Sequence, residues 1–175
     1  LPYDIVDVRP RSPGIRAVNP MGQVPALDDN GTIVTDSTAI LHYLSDKENR
    51  LTFTPGTAER ARLDAAVVFL LTEVEAPLWM AARHSYVLPE ERRRADFKPS
   101  LRQDFVDALD RWGLFLSDGP YLCGDTFTIA DILAGHLADW AMAARFEIDN
   151  AAVGAYVERL RSRPAYEAAR ATGDF

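Results

Sequence analysis

Hydrophobic residues recur at helical spacing through the part of the chain that follows residue 57. Two long stripes have intervals of three and four residues, and a shorter one covers residues 152–160. The first stripe holds Leu63, Val67, Leu70, Leu71, Val74 and Leu78, and the second holds Leu101, Phe105, Ala108, Leu109, Trp112 and Leu116. This periodicity predicts amphipathic helices that bury their apolar faces against one another.

A further helix is predicted to begin within the segment FTIAD, residues 127–131. The Thr128 hydroxyl can accept a hydrogen bond from the N–H of Asp131, whose carboxylate can reach back to Thr128, as in a capping box. The helix continues inward through an apolar series that holds Ile132, Leu133, Leu137 and Trp140. His136 falls within this series, so we expect a core histidine there rather than a catalytic one.

The first 47 residues have a different pattern, with short β-like pieces, turn signals and one predicted helix. Residues 1–8, LPYDIVDV, read as a strand. Two further short pieces flank DDNG, residues 28–31, where Asn-Gly favours the positive φ angles of a hairpin turn. A helix is predicted from residue 37 to residue 44, with Asp36 or Ser37 at its N-cap.

This contrast predicts two domains and an α+β fold class. We expect a first domain over residues 1–47 and an all-helical domain over residues 57–175. Residues 48–56 separate them and end in proline and glycine, as a linker commonly does.

Pro25 poses a question, because it stands in an apolar piece that otherwise resembles the start of a strand. Proline has no N–H to donate, so within a sheet it belongs at an edge, a bulge or a cis turn. A trans proline on an edge strand is the simple explanation, since only about 5–6% of X–Pro bonds in folded proteins are cis. Taken alone, the Val24-Pro25 pair favours this trans geometry.

Composition limits the classes of partner. The formal net charge of −7 argues against nucleic acid or an anionic membrane as the main partner. The longest uncharged apolar run, residues 65–71, is too short to span a bilayer, and no basic leader indicates export. The single cysteine, Cys123, cannot form an internal disulfide, which suits the reducing cytoplasm.

Metal binding is not expected. His42 and His84 have no cysteine or carboxylate nearby at metal-ligand spacing. Cys123 lies just before the predicted capping box and is best interpreted as a small buried apolar residue.

Three motifs together resemble the glutathione S-transferase superfamily: NPMGQVPAL (residues 19–27), TDSTAILHYL (residues 35–44) and YLCGDTFTIADIL (residues 121–133). They occur in the order and with the spacing of that family. The resemblance implies a thioredoxin-like N-terminal domain, followed by an all-helical bundle, and a transferase that conjugates glutathione to an apolar electrophile in detoxification.

The resemblance also implies the glutathione site. The Val24-Pro25 bond would be cis and would turn the main chain of Val24 outward, so that the tripeptide can pair with it as an added strand. Gln23 would bind the glycyl end. Ser37, at a helix N-terminus, would bind the γ-glutamyl carboxylate, and Asp36 would bind the γ-glutamyl amine or hold the local geometry.

The catalytic residue is not identified in this chain. In the family, a first strand and helix precede the segment equivalent to residues 1–8 and carry the catalytic group, so we expect on the order of twenty residues to be missing. An apolar electrophile would face the C-terminal part of the first long helix, at Trp79, Met80, Arg83 and Tyr86. Core packing or a dimer contact would also explain these four residues.

Alternatives to the conjugating enzyme remain open. One is a glutathione-dependent thiol transferase or isomerase, and the other is a non-catalytic member that binds a partner protein. Family members usually form two-fold dimers, so a cytoplasmic homodimer is expected.

Overall fold

The computed structural model describes residues 1–116 and 118–172, and the chain divides into two units, Leu1–Thr52 and Phe53–Phe175. The first unit combines a hairpin with helices. Its elements are α1 (Pro13–Val18), β1 (Ala26–Asp29), β2 (Thr32–Thr35) and α2 (Ser37–Glu48).

The predicted hairpin is confirmed. Strands β1 and β2 pair antiparallel in a register that sets Ala26 opposite Thr35. The turn between them uses Asn30 at φ 53° and Gly31 at φ 87°, the positive angles that a tight hairpin turn requires. The carboxylate of Asp28 accepts a hydrogen bond of 2.7 Å from the N–H of Gly31.

Helix α2 is joined to the hairpin by a cluster of polar side chains. The hydroxyl of Tyr43 donates a hydrogen bond of 2.7 Å to Asp29, and the ammonium of Lys47 pairs with the same carboxylate oxygen. The hydrogen bonds from Lys47 and Tyr43 lower the pKa of Asp29, and the hydrogen bond to Asp29 raises the pKa of Lys47. The cluster therefore fixes α2 against β1.

The strand predicted for residues 1–8 is wrong. A strand needs a partner for its main-chain groups, and among the described residues the sheet contains β1 and β2 alone. Leu1, Tyr3, Ile5 and Val6 are exposed by 70–79%. The structure also adds α1, which the sequence analysis missed although Ser12 and Pro13 form a good helix start.

The second unit is helical, as predicted. Its elements are α3 (Ala58–Phe69), a π-helical turn (Leu70–Glu75), α4 (Ala76–Ala82), a second π-helical turn (Arg83–Val87), short 3-10 turns (Glu90–Arg92 and Ala95–Phe97), α5 (Lys98–Phe115), α6 (Ile129–Ala143), α7 (Ala151–Arg161) and α8 (Pro164–Ala171).

The predicted apolar stripes form the core of this unit. Leu63, Leu70 and Trp112 are fully buried, and the rings of Trp112 and Tyr156 pack edge to face at 6.2 Å. The buried face of helix α6 differs from the predicted one. Its buried face combines Leu133 and Leu137 with small residues that let neighbouring helices approach closely, namely Ala130, Ala134, Gly135 and Ala138.

Two expectations about α6 are corrected by this orientation. Ile132 is 38% exposed rather than inward-facing, and His136, one turn further on, is exposed rather than a core histidine. Both lie on the face away from the small residues.

The capping box at the start of α6 is present and belongs to a larger network. Asp131 is 1% exposed. One of its carboxylate oxygens accepts from the N–H of Thr128 at 2.8 Å, and the other accepts from the N–H of Leu122 at 3.0 Å and the hydroxyl of Tyr156 at 2.7 Å. Burial, together with the charge of Asp131, raises the pKa of Tyr156 well above its ordinary value of 10.0.

One continuous helical stretch, Ala58–Val87, is long and apolar enough to cross a membrane by length and composition. Core helices of soluble proteins also satisfy that test. Leu63, Leu70, Val74 and Leu78 are all at most 1% exposed within this unit, so the stretch is explained as a core helix.

Candidate functional site

The segment that precedes β1 is held by the buried side chain of Asn19, which is 2% exposed. Its amide nitrogen donates a hydrogen bond of 3.0 Å to the carbonyl of Gln23, and its amide oxygen accepts one of 3.1 Å from the N–H of Met21. Gly22 lies between them at φ 71°, where an added Cβ would press on the main chain of Arg11 at 3.1 Å. These contacts fix the position of Gln23.

Val24 follows this fixed turn and is 42% exposed. The Val24-Pro25 peptide bond is cis, as expected. Neither the N–H nor the carbonyl of Val24 forms a hydrogen bond with any residue that the structure describes. The main-chain donor and acceptor of Val24 are therefore not engaged by the described residues, two positions before the first residue of β1.

Asp36 is the N-cap of α2. Its oxygen Oδ1 accepts hydrogen bonds from the N–H groups of Thr38 at 2.9 Å and Ala39 at 3.2 Å. The backbone of Asp36 has φ 77° and ψ 129°, a conformation that costs a residue with a side chain of order 1–3 kcal/mol. Backbone strain of this kind is concentrated at ligand sites and switch regions.

Ser37, the first residue of α2, is exposed. Its N–H points from the helix N-terminus, and Thr38 and Ala39 already donate to Asp36. Within the described part of the chain, neither this N–H nor the Ser37 hydroxyl has a hydrogen-bond partner. Both donors stand where the helix dipole favours negative charge.

The hairpin register brings these groups to one place. Ala26 lies opposite Thr35, so Pro25 and Asp36, which flank this pair in sequence, lie at the same open end of the hairpin. The predicted glutathione-binding residues are all exposed and all belong to this end: Gln23, Val24, Pro25, Asp36 and Ser37. A main-chain edge beside a helix N-terminus suits an extended peptide that carries a carboxylate.

The residues predicted to face an electrophile lie on one helical stretch but do not line one groove of their unit. The guanidinium of Arg83 lies 5.9 Å from the ring centre of Trp79, and the Nε of Arg83 is buried with no partner among the described residues. Met80 borders a groove with Pro77. Tyr86, which is 67% exposed, borders a different cavity.

Cys123 is half-buried, and the Thr128 hydroxyl lies 3.9 Å from its sulfur as a hydrogen-bond donor. Burial raises the pKa of the thiol above its ordinary value of 9.0, so the reactive thiolate is disfavoured at neutral pH. Among the residues that the structure describes, no group of three or more histidine, cysteine or acidic side chains could hold a metal ion.

Asn19 is the member of this site that sequence reasoning missed. The Asn-Pro pair at residues 19–20 indicates a turn, and Gly22 strengthens that signal. Nothing in the sequence shows that the Asn19 side chain is buried and bonded to Gln23, because both depend on the folded conformation of residues 19–23.

Comparison with known proteins gives a consistent result. Residues 1–47 match the family model of the glutathione S-transferase N-terminal domain, and residues 58–171 match that of the C-terminal domain. These matches confirm the predicted α+β class, with a thioredoxin-like domain followed by an all-helical one.

Individual relatives agree with the family-model matches. The glutathione S-transferase GstA of Escherichia coli O157:H7 is 31% identical over 152 residues, which cover 85% of this chain and 72% of that protein. Glutathione S-transferase F13 of Arabidopsis thaliana is 31% identical over 95% of this chain and 80% of its own length. The solved structure of a sphingomonad glutathione S-transferase complexed with glutathione matches 92% of this chain and 79% of its own, at 27% identity and a TM-score of 0.75.

Proposed function

The chain belongs to the glutathione S-transferase family, and on that premise we propose that it is a glutathione transferase that binds its thiol substrate at the open end of the hairpin. The proposed glutathione-binding residues are Gln23, Val24, Pro25, Asp36 and Ser37. A related protein, the sphingomonad enzyme, has been seen with glutathione bound. What carries the proposal is that the main-chain N–H and carbonyl of Val24, and the N–H and hydroxyl of Ser37, have no hydrogen-bond partner among the described residues and lie at the same end of the hairpin.

Val24 would hold the centre of the tripeptide. An extended ligand that adds to a sheet edge gains main-chain hydrogen bonds, and the alternating side chains then reach separate pockets. The N–H and carbonyl of Val24 have no partner within the described residues. The N–H can therefore donate to the cysteinyl residue of glutathione, and the carbonyl can accept from it, without breaking a hydrogen bond of the protein.

Ser37 would hold the γ-glutamyl carboxylate with its N–H and its hydroxyl. Charge-assisted hydrogen bonds of this kind are roughly twice as strong as bonds between neutral groups. The positive end of the α2 dipole adds to the attraction.

Asp36 would bind the γ-glutamyl amine. Both of its capping bonds go to Oδ1, so Oδ2 has no partner in the described part of the chain and can accept from an ammonium group. Gln23 would bind the glycyl end, because its main chain is already fixed by Asn19 and its side chain is exposed.

The chemical step is attack by the glutathione thiolate on an apolar electrophile. The sulfur electron pair forms the new S–C bond, and the leaving group departs with the electrons of its own bond. A free thiol is mostly protonated at neutral pH, so the enzyme must favour the thiolate. We assign no residue of this chain to that role.

The proposed electrophile contacts are Trp79, Met80, Arg83 and Tyr86, which lie on one helical stretch, although Met80 and Tyr86 border different grooves of their unit. The exposed ring of Trp79, packed under the Arg83 guanidinium, offers an apolar surface with a positive charge beside it. We further propose that the protein is cytoplasmic and forms a homodimer. Size-exclusion chromatography with light scattering would then give twice the mass of the chain.

Retention on immobilised glutathione tests binding, and a conjugation assay with a chlorodinitrobenzene tests the reaction. We expect retention, elution by free glutathione, and formation of the aromatic thioether. Retention combined with reduction of a mixed disulfide would indicate a thiol transferase instead. Failure to bind glutathione would overturn the proposal and leave a protein-binding role for the fold.

A further inference from the structure

A cavity of about 140 Å³ lies inside the helical unit, between α4, the start of α5 and the end of α6. Its walls include Leu78, Ala82 and Phe146, whose exposed fractions are 1%, 5% and 5%. Such a volume is close to that of an apolar cavity of about 150 Å³ that binds benzene. It is smaller than the roughly 300–1,000 Å³ of sites for drug-sized ligands.

The π-helical turn Arg83–Val87 supplies one side of the cavity mouth. Ser85 and Tyr86 both line it. The hydroxyl of Ser85 donates to the carbonyl of Ala81 at 2.6 Å, which leaves its oxygen able to accept. Turns of this kind are rare and occur often at functional sites, because they displace side chains from the regular helical positions.

Two positively charged residues form the other side of the cavity mouth. Lys98 and Arg102 line the cavity, and neither forms an ion pair with a carboxylate among the described residues. The guanidinium of Arg102 lies 4.6 Å from the ring centre of Phe146 and donates to the carbonyl of Arg145. Among the residues that the structure describes, no aspartate or glutamate lines the cavity, although the protein has a net charge of −7.

We propose that this cavity binds a small aromatic carboxylate of the size of benzoate. The apolar walls fit a single ring, and Lys98 and Arg102 at the mouth match one negative charge. A larger ring system exceeds the volume, and a cationic ligand would be repelled by the positive charges of Lys98 and Arg102. Tyr86 is also one of the proposed electrophile contacts, but this site does not depend on glutathione binding.

The test is a titration of the ¹⁵N-labelled 175-residue chain with benzoate, followed by amide chemical shifts in the absence of glutathione. We expect saturable shifts centred on Ser85, Tyr86 and Phe146, and much weaker binding of the neutral analogue benzyl alcohol. Absence of saturable shifts at these residues would overturn the proposal, and so would equal binding of the neutral analogue.

Variants separate the cavity from general charge effects. Lys98→Met keeps the aliphatic stem but removes the charge, and we expect benzoate affinity to fall about tenfold. Arg92→Met removes the same charge from an exposed residue outside the cavity and should leave affinity unchanged. Ser85→Leu should fill the mouth and abolish binding. Equal losses in Lys98→Met and Arg92→Met, or unchanged affinity in a folded Ser85→Leu protein, would contradict the assignment.

Discussion

The side-chain amide of Asn19 donates a hydrogen bond of 3.0 Å to the main-chain carbonyl of Gln23, the residue before Val24. Asn19 is buried and also accepts from the N–H of Met21. It lies within a turn, so it positions the proposed glutathione site through Gln23 rather than by touching the ligand.

The variant Asn19→Asp tests this role, because it keeps the acceptor for Met21 and removes the donor to Gln23. We expect a loss of roughly 1–3 kcal/mol in the free energy of unfolding, measured with urea. Glutathione affinity, measured by calorimetry on the folded fraction, should fall as well. A destabilised variant with unchanged affinity would show that the turn does not position the site.

Substitution of Ser37 by Ala removes a hydroxyl that has no partner in the described part of the chain. We expect glutathione binding to weaken by roughly 1–3 kcal/mol, because the γ-glutamyl carboxylate loses a donor. Stability should hardly change, since Asp36 caps the helix. Calorimetric titration measures the loss, and Ser100→Ala, at an exposed site in the helical unit, serves as the matched control. Equal affinity in both variants would remove Ser37 from the site.

The Asp131 network should dominate the stability of the helical unit. Tyr156→Phe removes one hydrogen bond to Asp131 and should cost about 1–2 kcal/mol. Asp131→Ala leaves the N–H groups of Leu122 and Thr128 and the hydroxyl of Tyr156 buried without their acceptor. We expect it to cost at least about 3 kcal/mol. Urea unfolding gives both values, and an alanine variant no less stable than Tyr156→Phe would contradict this ranking.

The Asp29 cluster predicts a dependence of stability on pH. Hydrogen bonds from Lys47 and Tyr43 hold the pKa of Asp29 below its ordinary value of 3.8. Its contribution is therefore complete above that value and is lost as the pH falls through the folded-state pKa. The pKa of Lys47 is raised above 10.5, so its contribution is complete below that value and is lost as the pH rises through the folded-state pKa.

Asp29→Asn should accordingly lower the melting temperature at neutral pH, and the difference from the parent protein should shrink below about pH 4. Thermal melts across that range measure it. Asp7→Asn removes the same charge from an exposed side chain and should have little effect at any of these pH values. A difference that stays constant into acid would mean that the Asp29 carboxylate does not carry the effect.

Local chemistry explains which elements could be predicted from the sequence. The Asn30-Gly31 turn and the capping box at Thr128 and Asp131 depend on nearby residues and were confirmed. Residues 1–8 were wrongly predicted as a strand, because local residue types can favour a strand but the partner for its main-chain groups must be supplied by another segment.

Helix α6 shows a second limit. Spacing alone placed His136 in the core, yet small residues on another face decide which side other helices can approach. The candidate site likewise combines features that the sequence predicts with features that depend on the folded structure. Motifs identified Val24 and Ser37, but the side-chain bond from Asn19 to Gln23 needed the folded turn.

The most direct measurement is an NMR titration of the ¹⁵N-labelled chain with glutathione, which reports on the amide protons of Val24 and Ser37. We predict saturable shifts at both amides and at their neighbours Gln23 and Asp36, with a common dissociation constant. Titration with the glycyl-free dipeptide γ-glutamylcysteine should preserve the shift at Ser37. Saturation without any change at Val24 and Ser37, or no saturable change at all, would contradict the account.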